Sequence, residues 1–142
     1  MIEIECGLEE LEEFAKTISS SLPHHCVILL RGDLASGKTT LLSTLLNTLG
    51  STDTVTSPTF GLQHIYKVEN FPIFHYDLYR KDLQECLMLG FLESFDQDGW
   101  HWVEWGDERL EEILRQSGVK VVIITIDKQN QSRKYRVEEW MS

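Results

Sequence analysis

The segment from Gly32 to Thr39, GDLASGKT, places two glycines, a lysine and a threonine at a spacing that suits phosphate chemistry. It matches the pattern G-x-x-x-x-G-K-[ST], the Walker A phosphate-binding loop. The glycines let the backbone fold so that its N–H groups converge on phosphate oxygens, an approach that larger side chains would block. Lys38 supplies a positive charge to the β- and γ-phosphates, and the Thr39 hydroxyl is placed to ligate Mg²⁺. These residues therefore predict the binding of a nucleoside triphosphate together with magnesium.

The predicted phosphate contacts extend over the whole loop and into the helix that follows it. The loop contributes backbone amides, and the positive end of the helix dipole adds to their effect. The full set comprises Gly32, Asp33, Leu34, Ala35, Ser36, Gly37, Lys38, Thr39 and Thr40.

A phosphate loop of this kind lies between a buried strand and a helix, and the flanking sequence predicts both. Before the loop, residues 26–30 read CVILL, a short apolar run typical of a buried parallel strand. After it, residues 39–49 are predicted to form a helix that ends at Gly50. The motif therefore occurs in the structural context that its chemistry requires.

The rest of the chain predicts strands interleaved with helices. An edge strand at 1–5 and an amphipathic helix at 8–22 precede the loop, and a hairpin of residues 60–68 and 71–77 follows it. A helix at 82–89, a strand at 100–104, a helix at 108–116 and a hairpin of residues 119–127 and 133–139 complete the pattern. We predict a three-layer α/β domain of the P-loop NTPase type over residues 1–142, with a mixed, mostly parallel central sheet.

Composition narrows the classes of function. The 142 residues suit one domain, and the net charge of −10 predicts a surface that repels nucleic acid backbones. Any link to RNA is therefore expected to run through a protein partner. The three cysteines are widely spaced, which is typical of reduced thiols in a cytoplasmic protein. We expect no membrane contact, because no apolar run approaches ~18 residues and the first residues are acidic where a targeting peptide is basic.

Magnesium needs a further protein ligand, usually a carboxylate at the polar end of a buried strand. Three predicted strands end in this way, at Asp77, Glu104 and Asp127. Asp127 leads into a turn, where an exposed hairpin carboxylate is the ordinary explanation. Asp77 and Glu104 are the better candidates, and the spacing alone does not rank them.

The polar segment 51–59 follows the phosphate-loop helix, as a nucleotide-sensing switch would. Thr59 is placed to bring its hydroxyl near Mg²⁺ or the γ-phosphate. A plain turn at Ser57 and Pro58 explains the same residues nearly as well.

Four segments in this order, GDLASGKTT, SPTF, HYDLYR and VEW, resemble the bacterial TsaE (YjeE) family of small P-loop ATPases. The resemblance runs from the N-terminal strand to about Val137. HYDLYR and VEW are far more specific than the Walker A signature, which many unrelated enzymes share. Family members support threonylcarbamoyladenosine formation in tRNA, so the resemblance implies an ATPase that assists modification of the adenosine next to the anticodon.

The resemblance also implies a set of site residues. Thr39, Asp77 and Glu104 would surround Mg²⁺, with Glu104 in the Walker B role and able to orient the attacking water. Lys38, Asp77 and Glu104 would form the catalytic group, acting on ATP and Mg²⁺. Residues 57–60 would form the switch, and Arg133, with Arg136 close behind, would contact the nucleotide.

The partners implied by the resemblance are the transferase subunits TsaB and TsaD, which would hold the tRNA. The ATPase would be a monomer when alone and would hydrolyse ATP slowly until these subunits dock. Two positions depart from the family pattern: the loop reads LASG instead of LGAG, and Gly106 follows VEW in place of proline. We expect the first change to alter nucleotide affinity and the second to loosen the segment after Glu104.

Two other functions fit the phosphate loop. A small-molecule kinase shares the compact α/β design, but it carries an arginine-bearing lid and an acceptor-binding insertion for which this chain has little room. A nucleotide-gated interaction module would bind ATP or GDP and rarely hydrolyse it. No guanine-reading pattern is visible, so adenine is the default base.

Overall fold

The computed structural model describes residues 2–32, 37–50, 63–68, 71–78, 82–88, 90–129 and 132–140. The strands are β1 (Ile2–Cys6), β2 (Cys26–Arg31), β3 (Gln63–Val68), β4 (Phe71–Asp77), β5 (Trp100–Glu104), β6 (Val121–Lys128) and β7 (Arg133–Trp140). The α-helices are α1 (Leu11–Ser21), α2 (Lys38–Thr48), α3 (Leu83–Met88) and α4 (Glu108–Gln116). Short 3₁₀ helices at Leu8–Glu10 and Phe91–Asp96 were not predicted from the sequence.

All these strands belong to one seven-stranded sheet in the order β1-β7-β6-β2-β5-β4-β3. Strands β6, β2, β5 and β4 run parallel to one another and form its centre. The pairs β1–β7, β6–β7 and β3–β4 are antiparallel and form its two sides. The predicted α/β class with a mixed central sheet is confirmed, and so are the two hairpins.

Two apolar layers cover the sheet, one on each face. One layer joins α1 and α2 to the face that carries Ile28, Leu30 and Trp102. The other joins α4 and the second 3₁₀ helix to the face that carries Leu29 and Val103. Because β2 is buried on both faces, its run from Cys26 to Leu30 is apolar without alternation, as the sequence predicted.

Local signals set most of the helix ends close to their predicted positions. Helix α1 ends where Leu22, which precedes a proline, adopts extended backbone with ψ 140°. Helix α4 begins at an N-cap, because the Asp107 carboxylate accepts a hydrogen bond from the Leu110 amide at 2.9 Å. The Asp82 carboxylate likewise accepts from the Gln84 amide at 2.9 Å just before α3. None of the described helices is long and apolar enough to cross a membrane.

The parallel register aligns the carboxyl ends of the central strands. Leu30 on β2 lies opposite Glu104 on β5, and Glu104 lies opposite Asp77 on β4. The Leu78 amide donates a hydrogen bond to the Glu104 carbonyl at 3.0 Å and extends this alignment by one residue. The phosphate loop leaves β2 one residue after its end, so both carboxylates lie at the same edge of the sheet as the loop.

Candidate active site

Gly37 forms the junction between the phosphate loop and α2. Its φ of +101° is in the left-handed region, where a residue with a Cβ is strained. Its carbonyl accepts the first hydrogen bond of the helix, from the Leu41 amide at 3.0 Å. The loop residues Asp33, Leu34, Ala35 and Ser36 lie outside the described residues.

Lys38, the first residue of α2, is 4% exposed although it is charged. Its Nζ donates a hydrogen bond to the Gly32 carbonyl at 2.7 Å, across the base of the loop. The same ammonium lies 3.7 Å from the centroid of the Trp105 ring, a cation–π contact. A buried ammonium is costly unless it is paired, so these contacts hold the charge beside the loop.

Trp105 directly follows β5 and has a φ of +64°, the left-handed region in a residue that is not glycine. This conformation turns the chain sharply after Glu104. Trp105 and Gly32 line a cavity of about 290 Å³ beside the loop. A larger cavity, of about 490 Å³, lies at the opposite ends of the central strands, next to Pro23 and Lys120, and is separate from this site.

Gly106 holds the same segment close to the sheet. A Cβ added there would lie 2.9 Å from Leu29 Cδ2, closer than real Cβ contacts. Its carbonyl accepts a hydrogen bond from Arg31 Nε at 3.2 Å, and Arg31 also forms an ion pair with Glu111 on α4 at 2.9 Å. The segment after Glu104 is therefore tightly packed, not loosened as the glycine had suggested.

Glu104 is 4% exposed at the end of β5. Its Oε2 accepts a hydrogen bond from the Thr39 hydroxyl at 3.3 Å, which joins the start of α2 to the sheet. The same oxygen is 2.5 Å from His75 Nε2 on the neighbouring strand. His75 is fully buried.

The three candidate carboxylates have different surroundings. Asp77 is half-buried and pairs in register with Glu104, so both side chains point to the sheet face that packs against α2. Asp127 is exposed in the β6–β7 hairpin, opposite Lys134. The fold thus brings Asp77 and Glu104 to the loop and leaves Asp127 outside the group.

Arg133 begins β7, and its Nε lies 3.9 Å from the position that a Cβ on Gly37 would take. This places the guanidinium beside the phosphate loop, as its predicted contact with nucleotide requires. Arg136 instead forms an ion pair with Glu3 on β1, at 3.5 Å. Thr40 is exposed on the first turn of α2, and Thr59 lies outside the described residues.

The donor atoms fit magnesium. The Thr39 hydroxyl and the carboxylates of Asp77 and Glu104 are oxygen donors, which this cation prefers. The Thr39 and Glu104 oxygens lie 3.3 Å apart, near the ~3 Å that separates adjacent oxygens around an octahedral ion with bonds of ~2.1 Å. No group of three or more His, Cys, Asp or Glu side chains within the described ranges forms a metal site by itself. Such an ion would therefore need ligands besides these side chains, as Mg²⁺ on a nucleotide has.

Three residues of this site were not among the predicted ones: Arg31, His75 and Trp105. The sequence holds a signal for His75, because it stands two residues before Asp77 on a strand and must share its face. The left-handed backbone of Trp105 and the packing of Arg31 against Gly106 depend on tertiary contacts, which no local pattern encodes.

Comparison with known proteins gives a consistent result. The family profile "Threonylcarbamoyl adenosine biosynthesis protein TsaE" matches residues 7–136. The tRNA threonylcarbamoyladenosine biosynthesis protein TsaE of Rickettsia conorii is 39% identical over 101 residues, which are 70% of this chain and 57% of that protein. The protein of that name from Bacillus subtilis is 36% identical over 115 residues, 81% of this chain and 72% of the relative.

A solved structure shares the fold. The crystal structure of YdiB from Bacillus subtilis superposes with a TM-score of 0.63 and 26% identity, covering 94% of this chain and 83% of that one.

The matches to the relatives from Rickettsia conorii and Rickettsia felis span 57% and 58% of their lengths, well under two thirds.

Proposed function

This chain belongs to the TsaE family, and from that premise we propose that it is a Mg²⁺-dependent ATPase supporting threonylcarbamoyladenosine modification of tRNA. The resemblance predicted from the motifs is confirmed at the level of the family. The observation that best supports this activity is that Lys38, Thr39 and Glu104 lie together at the junction of the loop, α2 and the central strands. Lys38 donates a hydrogen bond to Gly32, and Thr39 donates one to Glu104. A phosphate loop and a buried carboxylate at one sheet edge are the parts that nucleotide hydrolysis needs.

In the proposed reaction, the loop amides and Lys38 bind the phosphates of ATP. Thr39 and Asp77 would hold Mg²⁺, which would neutralise charge on the β- and γ-phosphates. Glu104 accepts a hydrogen bond from the water and aligns it for in-line attack on the γ-phosphorus. The bond from the water oxygen to phosphorus forms as the bond from phosphorus to the β–γ bridging oxygen breaks, and the products are ADP and inorganic phosphate. Arg133, beside Gly37, contacts the nucleotide from β7.

The partners that we propose are the transferase subunits TsaB and TsaD. The net charge of −10 supports an indirect link to RNA, because a surface of that sign repels a phosphate backbone. The transferase pair would hold the tRNA, and its docking would accelerate an intrinsically slow hydrolysis.

Calorimetry with ATP and MgCl₂ tests the binding, and phosphate release with and without the transferase pair tests the coupling. We expect heat from ATP, slow release by the chain alone and faster release in the complex. A pull-down of the pair in ATP, in ADP and without nucleotide should retain it best in ATP. No heat from any nucleoside triphosphate would refute the ATPase. Equal retention of the transferase pair in ATP, in ADP and without nucleotide would refute the proposed coupling of hydrolysis to partner binding.

A further inference from the structure

We propose that His75 is a positioning residue that fixes the Glu104 carboxylate for catalysis, an inference that rests on the proposed ATPase function. The pair lies on adjacent parallel strands, with His75 Nε2 2.5 Å from Glu104 Oε2. Both side chains are nearly or fully removed from solvent, at 0% and 5% exposure. A hydrogen bond to a carboxylate in such a place is strong, because water does not compete for either partner.

The buried environment also assigns the hydrogen on the imidazole. His75 Nδ1 is buried and has no hydrogen-bond partner among the residues that the structure describes. A hydrogen on Nδ1 would therefore be a buried donor without an acceptor, which costs about 1–3 kcal/mol. A hydrogen on Nε2 meets the Glu104 carboxylate directly. The structure thus favours the tautomer in which His75 donates from Nε2.

Thr39, the other hydrogen-bond partner of Glu104 Oε2, is also a proposed metal ligand. Its hydroxyl donates to Oε2 at 3.3 Å. When that hydroxyl turns to a cation, its contact with Glu104 changes, whereas the imidazole of His75 has no such task. His75 therefore keeps Oε2 in place throughout the cycle. We assign Oε1, the oxygen of Glu104 that His75 does not hold, to the attacking water.

The fold prevents His75 from moving away. Its strand is paired on both sides, to β3 and to β5, and His75 stands opposite Trp102 in register. The Tyr66 ring lies 6.4 Å away between centroids, on the same face. A side chain that is fully buried among such neighbours has few other rotamers, which is what a support for a catalytic group requires.

Two substitutions separate positioning from packing. His75→Leu removes the donor at similar volume, and His75→Gln replaces it with an amide N–H of similar reach. His101→Leu is a matched control, because His101 is another fully buried histidine of this sheet and faces the opposite apolar layer, next to Tyr76 and Phe95.

We expect His75→Leu to lower kcat for ATP by about 10–100-fold, the range found when a supporting hydrogen bond to a metal-site residue is removed. KM for ATP and the affinity for ATP in EDTA should change little, because Lys38 and the loop remain. His75→Gln should recover most of kcat. His101→Leu should lower the melting temperature and leave kcat near wild type.

Imidazole ¹⁵N–¹H spectra of the metal-free protein add a readout that does not depend on turnover. We expect His75 to carry hydrogen on Nε2, with its signal shifted to low field and returned to the ordinary range in Glu104→Ala. Hydrogen on Nδ1, wild-type kcat in His75→Leu, or equal losses in the Leu and Gln variants would overturn the proposal. If the wild-type chain neither binds nor hydrolyses ATP, the proposed function fails, and the spectra still decide whether His75 holds Glu104.

Discussion

Asp77 and Glu104 are register partners at the carboxyl ends of two adjacent parallel strands. Their side chains share one face of the sheet, yet Glu104 is buried and Asp77 is half-buried. The more exposed carboxylate suits a metal ligand that exchanges with solvent, and the buried one suits a group that must be held in one orientation. We therefore expect Asp77 to bind the metal and Glu104 to orient the attacking water.

Glu104→Gln tests this division. Hydrolysis should fall by at least ~100-fold, because an amide oxygen is a poorer acceptor for the attacking water and lacks the negative charge. ATP affinity should change less than threefold, because Lys38 and the loop still hold the phosphates. Phosphate release and calorimetry measure the two effects separately.

Asp127→Asn provides the matched control for Glu104→Gln. Asp127 is also a carboxylate near the end of a strand, one residue before the end of β6, but it is exposed in the β6–β7 hairpin. Its substitution should leave both hydrolysis and affinity at the wild-type level. Normal turnover in the Glu104 variant would contradict our assignment and return the catalytic role to Asp77 or Asp127.

Lys38→Ala should weaken ATP binding as well as turnover. The substitution removes the ammonium that lies at the base of the loop and donates a hydrogen bond to the Gly32 carbonyl. A charge-assisted hydrogen bond contributes about 1.5–3 kcal/mol, which corresponds to a loss of affinity of roughly 10–150-fold. Calorimetry with ATP and MgCl₂ measures it, and Lys120→Ala, an exposed lysine at the opposite end of the central strands, is the control. Equal affinities in the two variants would exclude a role for Lys38 in holding phosphate.

Trp105 should report nucleotide binding by its fluorescence. Its ring contacts the Lys38 ammonium at 3.7 Å, so redirection of that charge to phosphate changes the field at the indole. We expect ATP to shift the tryptophan emission of the wild-type chain and to have little effect on Trp105→Phe. Trp100 lies at the other end of β5, where its indole N–H donates a hydrogen bond to the Pro23 carbonyl. The Trp100→Phe variant should therefore keep the response. A response that survives in Trp105→Phe and is lost in Trp100→Phe would contradict this assignment.

The central fold and part of the site could be predicted from sequence because both depend on short-range patterns. CVILL marks a strand buried on both faces, and the spacing of Gly32, Gly37 and Lys38 marks the loop. The order of the strands is a different matter, since β7 lies between β1 and β6 through pairings that no local period encodes.

The supporting contacts of the site were harder to predict for the same reason. Arg31 reaches the Gly106 carbonyl across 75 positions of sequence, and His75 reaches Glu104 across 29. A buried histidine on a strand is usually a packed core residue. Only its hydrogen-bond partner shows whether it also supports a functional side chain. That partner is visible only once β4 and β5 are aligned.

Gly106→Ala should destabilise the fold, because the added methyl would lie 2.9 Å from Leu29 Cδ2. Overpacking of this kind costs about 1–3 kcal/mol in the free energy of unfolding, measured by urea denaturation. In a Leu29→Ala background the methyl has room, so the penalty of Gly106→Ala should largely disappear. Additive losses in the double variant would place the strain elsewhere than at this contact.

A buried polar cluster on the opposite face makes stability depend on pH. His101 is fully buried, its Nδ1 accepts a hydrogen bond from the Tyr76 hydroxyl at 2.7 Å, and its Nε2–H donates to the Gln97 carbonyl at 2.7 Å. Phe74 stacks on the ring with centroids 4.4 Å apart. Burial lowers the pKa of His101 to about 4, and the nearby His25 adds to the shift. The Tyr76 hydroxyl also accepts from Gln63, so a second hydrogen on His101 would disrupt a complete network.

The free energy of unfolding should therefore fall as the pH is lowered from about 6.5, the ordinary pKa of a histidine, to about 4, the pKa of His101 in the fold. In that interval His101 binds a proton in the unfolded chain but not in the folded chain, so a lower pH favours unfolding. The full shift corresponds to about 3 kcal/mol at 1.36 kcal/mol per pH unit. Urea denaturation at a series of pH values measures it, and His101→Gln should lose this part of the slope while it lowers stability at pH 7. A slope that persists unchanged in His101→Gln would contradict the assignment of this acid sensitivity to His101.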